Sequence, residues 1–168
     1  MTVWLAIVLF IAVQRLAELA WAARNARLLR AAGAVEVGAA HYPLFVLLHG
    51  GWLASLALLV PADTPPDPPF VAAFIVLQAA RLWIIATLGR FWTTRILTLP
   101  GAPLVRRGPY RLVRHPNYLV VALEIPVVPL IAGAWHIALV FGSLNLALLA
   151  WRIRVEDGAL ARRRSIVP

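Results

Sequence analysis

The chain has no cysteine and no lysine. The first absence excludes a disulfide framework, a thiolate nucleophile and a cysteine-ligated zinc, and leaves the redox compartment unread. The second makes all 16 basic residues arginine, against only 7 acidic ones, for a formal charge of +9. Charge is scarce: 14% of residues are charged and 62% are hydrophobic, with a mean hydropathy of +0.82. With apolar windows of about 18–20 residues recurring, this describes an integral membrane protein. The arginines lie chiefly between apolar runs, so membrane topology and anionic lipid head groups account for the charge, and a nucleic-acid partner does not. The 4 histidines, His41, His49, His115 and His136, show no metal-ligand spacing, which argues against a metal site.

The apolar runs predict spans at 3–23, 43–60, 69–88, 116–132 and 134–152. The first lacks a positively charged start and continues past Glu18, the pattern of a retained helix rather than a cleaved signal. The stretch from Leu119 to Trp151 would make a single helix of roughly 50 Å, too long for a hydrocarbon core of about 30 Å. It is expected to be a hairpin turning near Gly133 and Ala134, opened by Pro116 and closed by Arg152. Arg24, Arg27 and Arg30 follow the first span, six arginines lie from Arg90 to Arg114, and Arg152, Arg154 and Arg162 to Arg164 flank the last. Five helices with the N-terminus outside and the C-terminus cytoplasmic put all of these on one side. The fold class expected is therefore an all-α integral membrane protein, residues 1–168 forming one domain, in a bacterial-type cytoplasmic membrane. The insert 90–117, broken by Pro100, Gly101, Pro103, Gly108 and Pro109, should be an ordered loop capping a cavity, with a short extended pair around 96–99 and 103–106.

Four ionisable residues fall inside spans: Arg15, Glu18, Arg81 and Glu124. Charges there cost several kcal/mol and are paired or functional. Arg15 and Glu18 share a helix face, as do Gln78 and Arg81, whose polar strip faces a ligand, Glu124 or Glu18. The segment Arg107 to Tyr118, RGPYRLVRHPNY, crowds three arginines, a histidine and two tyrosines against the next apolar run. Pro116 gives a helix start with a positive end, suited to an anionic group that Arg114 can clamp; lipid head groups would satisfy the arginines equally. After the last span come Glu156 and Asp157, so a ligand carrying both a carboxylate and a cation could bridge the two segments.

This RGPYRLVRHPNY segment, with Glu124 six residues beyond it and the distal RIRVEDGAL, resembles the isoprenylcysteine carboxyl methyltransferase family and related phospholipid methyltransferases. The likeness runs from about Gln78 to Leu160. It implies an S-adenosylmethionine-dependent O-methyltransferase with Gly108, Tyr110, Arg114, His115, Pro116, Tyr118, Glu156 and Asp157 at the cofactor. It also implies a lipophilic or lipidated acceptor entering from the bilayer. One departure is Glu-Asp where the family often has Glu-Glu. A carboxylate acceptor would need only orientation, by Arg81; a phenol or enol would need a base, with Glu124 first and His115 second. Two other readings stand beside it: an NADPH-dependent membrane reductase of the steroid-reductase type, and a non-enzymatic lipid-binding membrane protein.

Overall fold

The structure is a computed structural model that describes residues 2–102 and 104–164, the side chains of 162–164 excepted. Five helices account for most of it: α1 (Val3–Ala31), α2 (Tyr42–Leu59), α3 (Pro68–Leu88), α4 (Pro116–Leu130) and α5 (Trp135–Arg164). Four of them, α1, α2, α3 and α5, are long and apolar enough to cross a membrane. The fifth, α4, has 15 residues and would reach only about 22 Å. α4 packs between α3 and α5, α2 lies against α5, and α1 touches α2. Trp4, Ile11, Trp52, Leu56, Ile125 and Val128 form the centre of the core.

Helix boundaries follow local chemistry. α1 runs eight residues beyond the expected end at Ala23, because arginine is a good helix former and nothing interrupts the chain before Gly33. There φ is +93°, and Ala34 N–H reaches back to Leu29 O at 2.9 Å, closing the last turn. α5 likewise continues past Trp151, so Glu156 and Asp157 ride on a helix rather than on a tail. The predicted hairpin turn falls where expected, at Gly133 with φ +64°. At that end Asp67 N–H donates to Ile131 O at 2.8 Å, tying the proline-rich 61–67 loop to the hairpin.

α4 carries Pro126 and Pro129 inside its length. Pro129 has no N–H for the carbonyl four residues earlier, that of Ile125. The indole N–H of buried Trp52 takes that carbonyl at 3.1 Å, so a tryptophan of α2 repairs the gap in α4. Asn145 of α5, buried completely, donates to Val121 O at 3.4 Å across the hairpin.

The expected pairing of 96–99 with 103–106 does not form among the described residues. Strand β2 (Ile96–Thr98) exists, but its partner is β1 (Val35–Val37), antiparallel, with Glu36 opposite Leu97. Residues 104–106 are irregular, and Pro103 lies outside the described residues. The reason is an ion-pair pin: Arg95, just before β2, reaches Glu36 at 2.6 Å and stacks over the Tyr42 ring at 4.1 Å, while Arg30 holds the same carboxylate from α1.

Candidate active site

Two polar clusters occur along the interior, and a cavity joins them. The deeper one gathers all four ionisable residues expected inside spans. Glu124 of α4 accepts from Arg15 and Arg81 through one oxygen, and from Gln78 Nε2 at 2.8 Å through the other. Arg15 also holds Glu18 at 2.9 Å, Arg81 reaches Glu18 at 3.4 Å, and Gln14 bridges Glu18 at 3.0 Å to Gln78 at 2.7 Å. Two arginines and two glutamates cancel, which is why such a group survives in an apolar interior. Glu124 is 0% and Arg81 1% exposed. The paired spacings on α1 and α3 made this network foreseeable; Gln14, an isolated polar residue in an apolar run, gave no such signal.

The second cluster lies at the arginine-rich end, where α4 begins and α5 leaves the core. His115 stacks on Tyr118 with ring centres 5.3 Å apart and planes 18° from parallel. The acidic pair faces them: Tyr118 donates its hydroxyl to Glu156, His115 Nδ1 lies 3.6 Å from Glu156, and His115 Nε2 lies 3.4 Å from Asp157. Arg114 stands 3.6 Å from Asp157. Arg152, one turn before Glu156, donates to the Tyr118 hydroxyl at 2.8 Å and to Thr94 O at 2.8 Å, under the Phe45 ring. Arg152 entered the sequence reading only as a helix-end charge, although its spacing from Glu156 places both on one helix face. Tyr110 sits nearby; burial, and behind it the charge of Glu156, push its phenol up, so it stays protonated.

A cavity of about 1120 Å³ runs from Tyr110, Arg114, His115, Asn117, Tyr118, Arg152 and Glu156 down to Arg15, Glu18 and Arg81. It exceeds the usual single-ligand range of roughly 300–1,000 Å³, leaving room for two molecules end to end. Leu16, Leu19 and Val46 line it while being 67%, 42% and 52% exposed, so between α1 and α2 its wall faces outward along the apolar flank. Loop residues Leu97, Leu99, Leu104 and Leu112 line its other end, consistent with the expected capping insert.

Not every expected residue reaches this wall. Glu124 stands behind Arg15 and Arg81, with its oxygens occupied by them and by Gln78. Pro116 starts α4, and Asp157 positions Arg114 and His115. Gly108 has φ +55° and backs onto α3: a Cβ there would stand 2.7 Å from Thr87 Oγ1 and 3.3 Å from Trp83 Nε1. It seats the loop against the bundle. Asn117, which the sequence reading passed over, lines the cavity with a buried Oδ1 that has no partner among the described residues.

Residues 70–162 match the family described as "Isoprenylcysteine carboxyl methyltransferase (ICMT) family". YpbQ of Bacillus subtilis (strain 168), described as an uncharacterized protein, is 40% identical over 161 residues, covering 94% of this chain and 95% of its own. An uncharacterized protein of Haemophilus influenzae is 28% identical over 145 residues, covering 82% and 83%. No solved structure matches the chain. The matched region spans more than half of the sequence, from the start of α3 through both halves of the HP and Glu-Asp cluster, and the chain belongs to the isoprenylcysteine carboxyl methyltransferase family of membrane methyltransferases.

Proposed function

We propose that residues 1–168 form a single membrane domain that transfers a methyl group from S-adenosylmethionine to an oxygen of a lipophilic acceptor. The donor enters from the cytoplasm at the arginine-rich end, and the acceptor slides in from the bilayer between α1 and α2. The observation that carries this is the continuity of one cavity between the His115–Tyr118–Glu156 cluster and the Arg15–Arg81 layer. A head-group binder has no use for a carboxylate pair behind its arginines, and a carrier of several phosphates would be repelled by it.

The residues fit the donor by their chemistry. Arg114 and the positive end of α4 suit its carboxylate, and Glu156 suits its ammonium or ribose hydroxyls. The partnerless Asn117 Oδ1 offers an acceptor to a hydroxyl or amino group. The Tyr118 face, held flat by His115 on one side and tied to Arg152, offers attraction to a sulfonium. Bound there, S-adenosylmethionine would supply an electrophilic methyl group.

The chain's own part is alignment and exclusion of water. Arg152 and Glu156 fix Tyr118 from two sides, so the aromatic wall does not move with each turnover. Arg15 and Arg81 line the acceptor side of the cavity, and each has a buried Nε–H with no partner among the described residues. An acceptor oxygen would satisfy those donors and be held in line. Glu124 acts through them, as the anchor that sets their position.

Thermal unfolding of the detergent-solubilised protein with S-adenosylhomocysteine or NADPH tests the reading. Stabilisation of about 2.7 kcal/mol is expected at a ligand concentration of 100 Kd. Glu156→Ala should abolish the ligand-dependent increment. A response to NADPH alone, or none to S-adenosylhomocysteine, overturns the proposal.

A further inference from the structure

His49 has no place in the sequence-level site, yet it lines the same cavity from α2. Its depth matches the charged layer. Counted from the arginine-rich ends of their helices, His49, Arg81 and Glu124 all lie about 10–12 Å in, at 1.5 Å per residue. Arg15 of α1 and Arg81 of α3 line the same cavity.

The ring's tautomer follows from one bond. His49 Nδ1 lies 2.9 Å from Phe45 O, one turn earlier on its own helix. A carbonyl oxygen only accepts, so Nδ1 carries a proton, and in the neutral imidazole the lone pair is then on Nε2. In the neutral ring this sets the Nδ1–H tautomer, so the basic nitrogen is Nε2, on the side away from the helix backbone. Glu124, by contrast, has both oxygens engaged by Arg15, Arg81 and Gln78.

We infer that His49 Nε2 is the proton acceptor for the methyl acceptor's hydroxyl, and that this hydroxyl is a weakly acidic phenol or enol rather than a carboxylic acid. The inference rests on the methyltransferase reading above. The balance is simple. As the acceptor oxygen bonds to the methyl carbon, the carbon–sulfur bond of the sulfonium donor breaks, and its electron pair returns to sulfur as a neutral thioether. The hydroxyl proton passes to Nε2, and the imidazolium later releases it to water. A carboxylate arrives already ionised and would give a base in this position nothing to do.

His49→Asn keeps an N–H for Phe45 O while removing the lone pair, which separates base from brace. The probe is a long-chain alkyl nitrophenol, whose phenolate absorbs in the visible. With wild type and no methyl donor, the bound probe should show its phenolate band at pH values below its ionisation in detergent alone; in His49→Asn that band should vanish. In turnover with an unactivated long-chain alkylphenol, His49→Asn should lose about 100-fold or more near neutral pH. The deficit should shrink as pH rises or as the more acidic nitrophenol is used. Unchanged phenolate spectra and rates in His49→Asn overturn the assignment, as does loss of its stabilisation by S-adenosylhomocysteine, which would mark His49 as structural. Absence of that stabilisation in wild type would instead bring down the methyltransferase reading, and this inference with it.

Discussion

Glu124→Leu should be among the most damaging single substitutions in this chain, and adding Arg81→Leu should partly repair it. The layer holds Arg15, Arg81, Glu18 and Glu124, two charges of each sign. Removing Glu124 leaves two guanidinium groups sharing Glu18 alone, a net positive charge at a site where Arg81 is 1% exposed. Breaking a buried pair in this way costs about 3–5 kcal/mol. At about 2–4 °C per kcal/mol for a chain of this size, the melting temperature should fall by about 6–20 °C. In the double variant the remaining Arg15 and Glu18, 2.9 Å apart on one helix, are neutral together. It should be more stable than either single variant, with a coupling energy of about 2 kcal/mol or more. The assay is thermal unfolding of all four proteins in one detergent, followed by tryptophan fluorescence. A double variant as unstable as the sum of the singles would refute the reasoning, because it would mean that the cost is lost packing volume rather than uncompensated charge.

The proline repair and the strand pin give two more tests. Trp52→Phe strands Ile125 O and should cost about 1–3 kcal/mol, but Pro129→Ala supplies a backbone N–H for that carbonyl, so the penalty of Trp52→Phe in the Pro129→Ala background should be smaller in thermal unfolding. Glu36 is partly buried, which pushes its carboxyl up, but hydrogen bonds and charge from Arg95 and Arg30 outweigh this and hold it below the ordinary value of 4.5. A depressed folded value means that the contribution is present above pH 4.5 and is lost as pH falls through the folded value. Amide exchange of Val35–Val37 should therefore accelerate over that acidic range in wild type. In Glu36→Gln it should already be fast at neutral pH and show no such step.

How much of this was readable in the sequence depends on the kind of constraint. The hairpin at Gly133 was, because a length limit and a left-handed glycine act locally. Its consequence, Tyr118 beside Arg152 and Glu156, follows once two antiparallel arms leave one turn. α1 and α5 run beyond the expected spans because hydropathy marks where apolar residues stop, whereas a helix stops only where backbone geometry breaks it, as at Gly33. The partner of β2 was not readable: three residues, Val35 to Val37, show no periodicity, and what selects them is Glu36 meeting two distant arginines. Trp52 and Asn145 gave no sign of their roles because their partners are carbonyls, which a sequence does not display.

The same division bears on what the family membership says about the acceptor. The matched region, 70–162, contains nearly all of α3, all of α4 and the part of α5 that carries Arg152, Glu156 and Asp157, so it covers the arginine-rich end of the cavity together with Arg81 and Glu124. Arg15, Glu18, His49 and the outward-facing Leu16, Leu19 and Val46 belong to α1 and α2, outside that match. The family description therefore speaks to methyl transfer and says little about the acceptor. YpbQ aligns over 94% of this chain, so the likeness to it extends into those two helices. If the acceptor is selected where the cavity faces the bilayer, grafting α1 and α2 between two family members should carry acceptor preference with them while leaving S-adenosylhomocysteine binding in place. Transfer of preference with the 70–162 segment instead would place selectivity at the donor end and remove the lateral-entry argument.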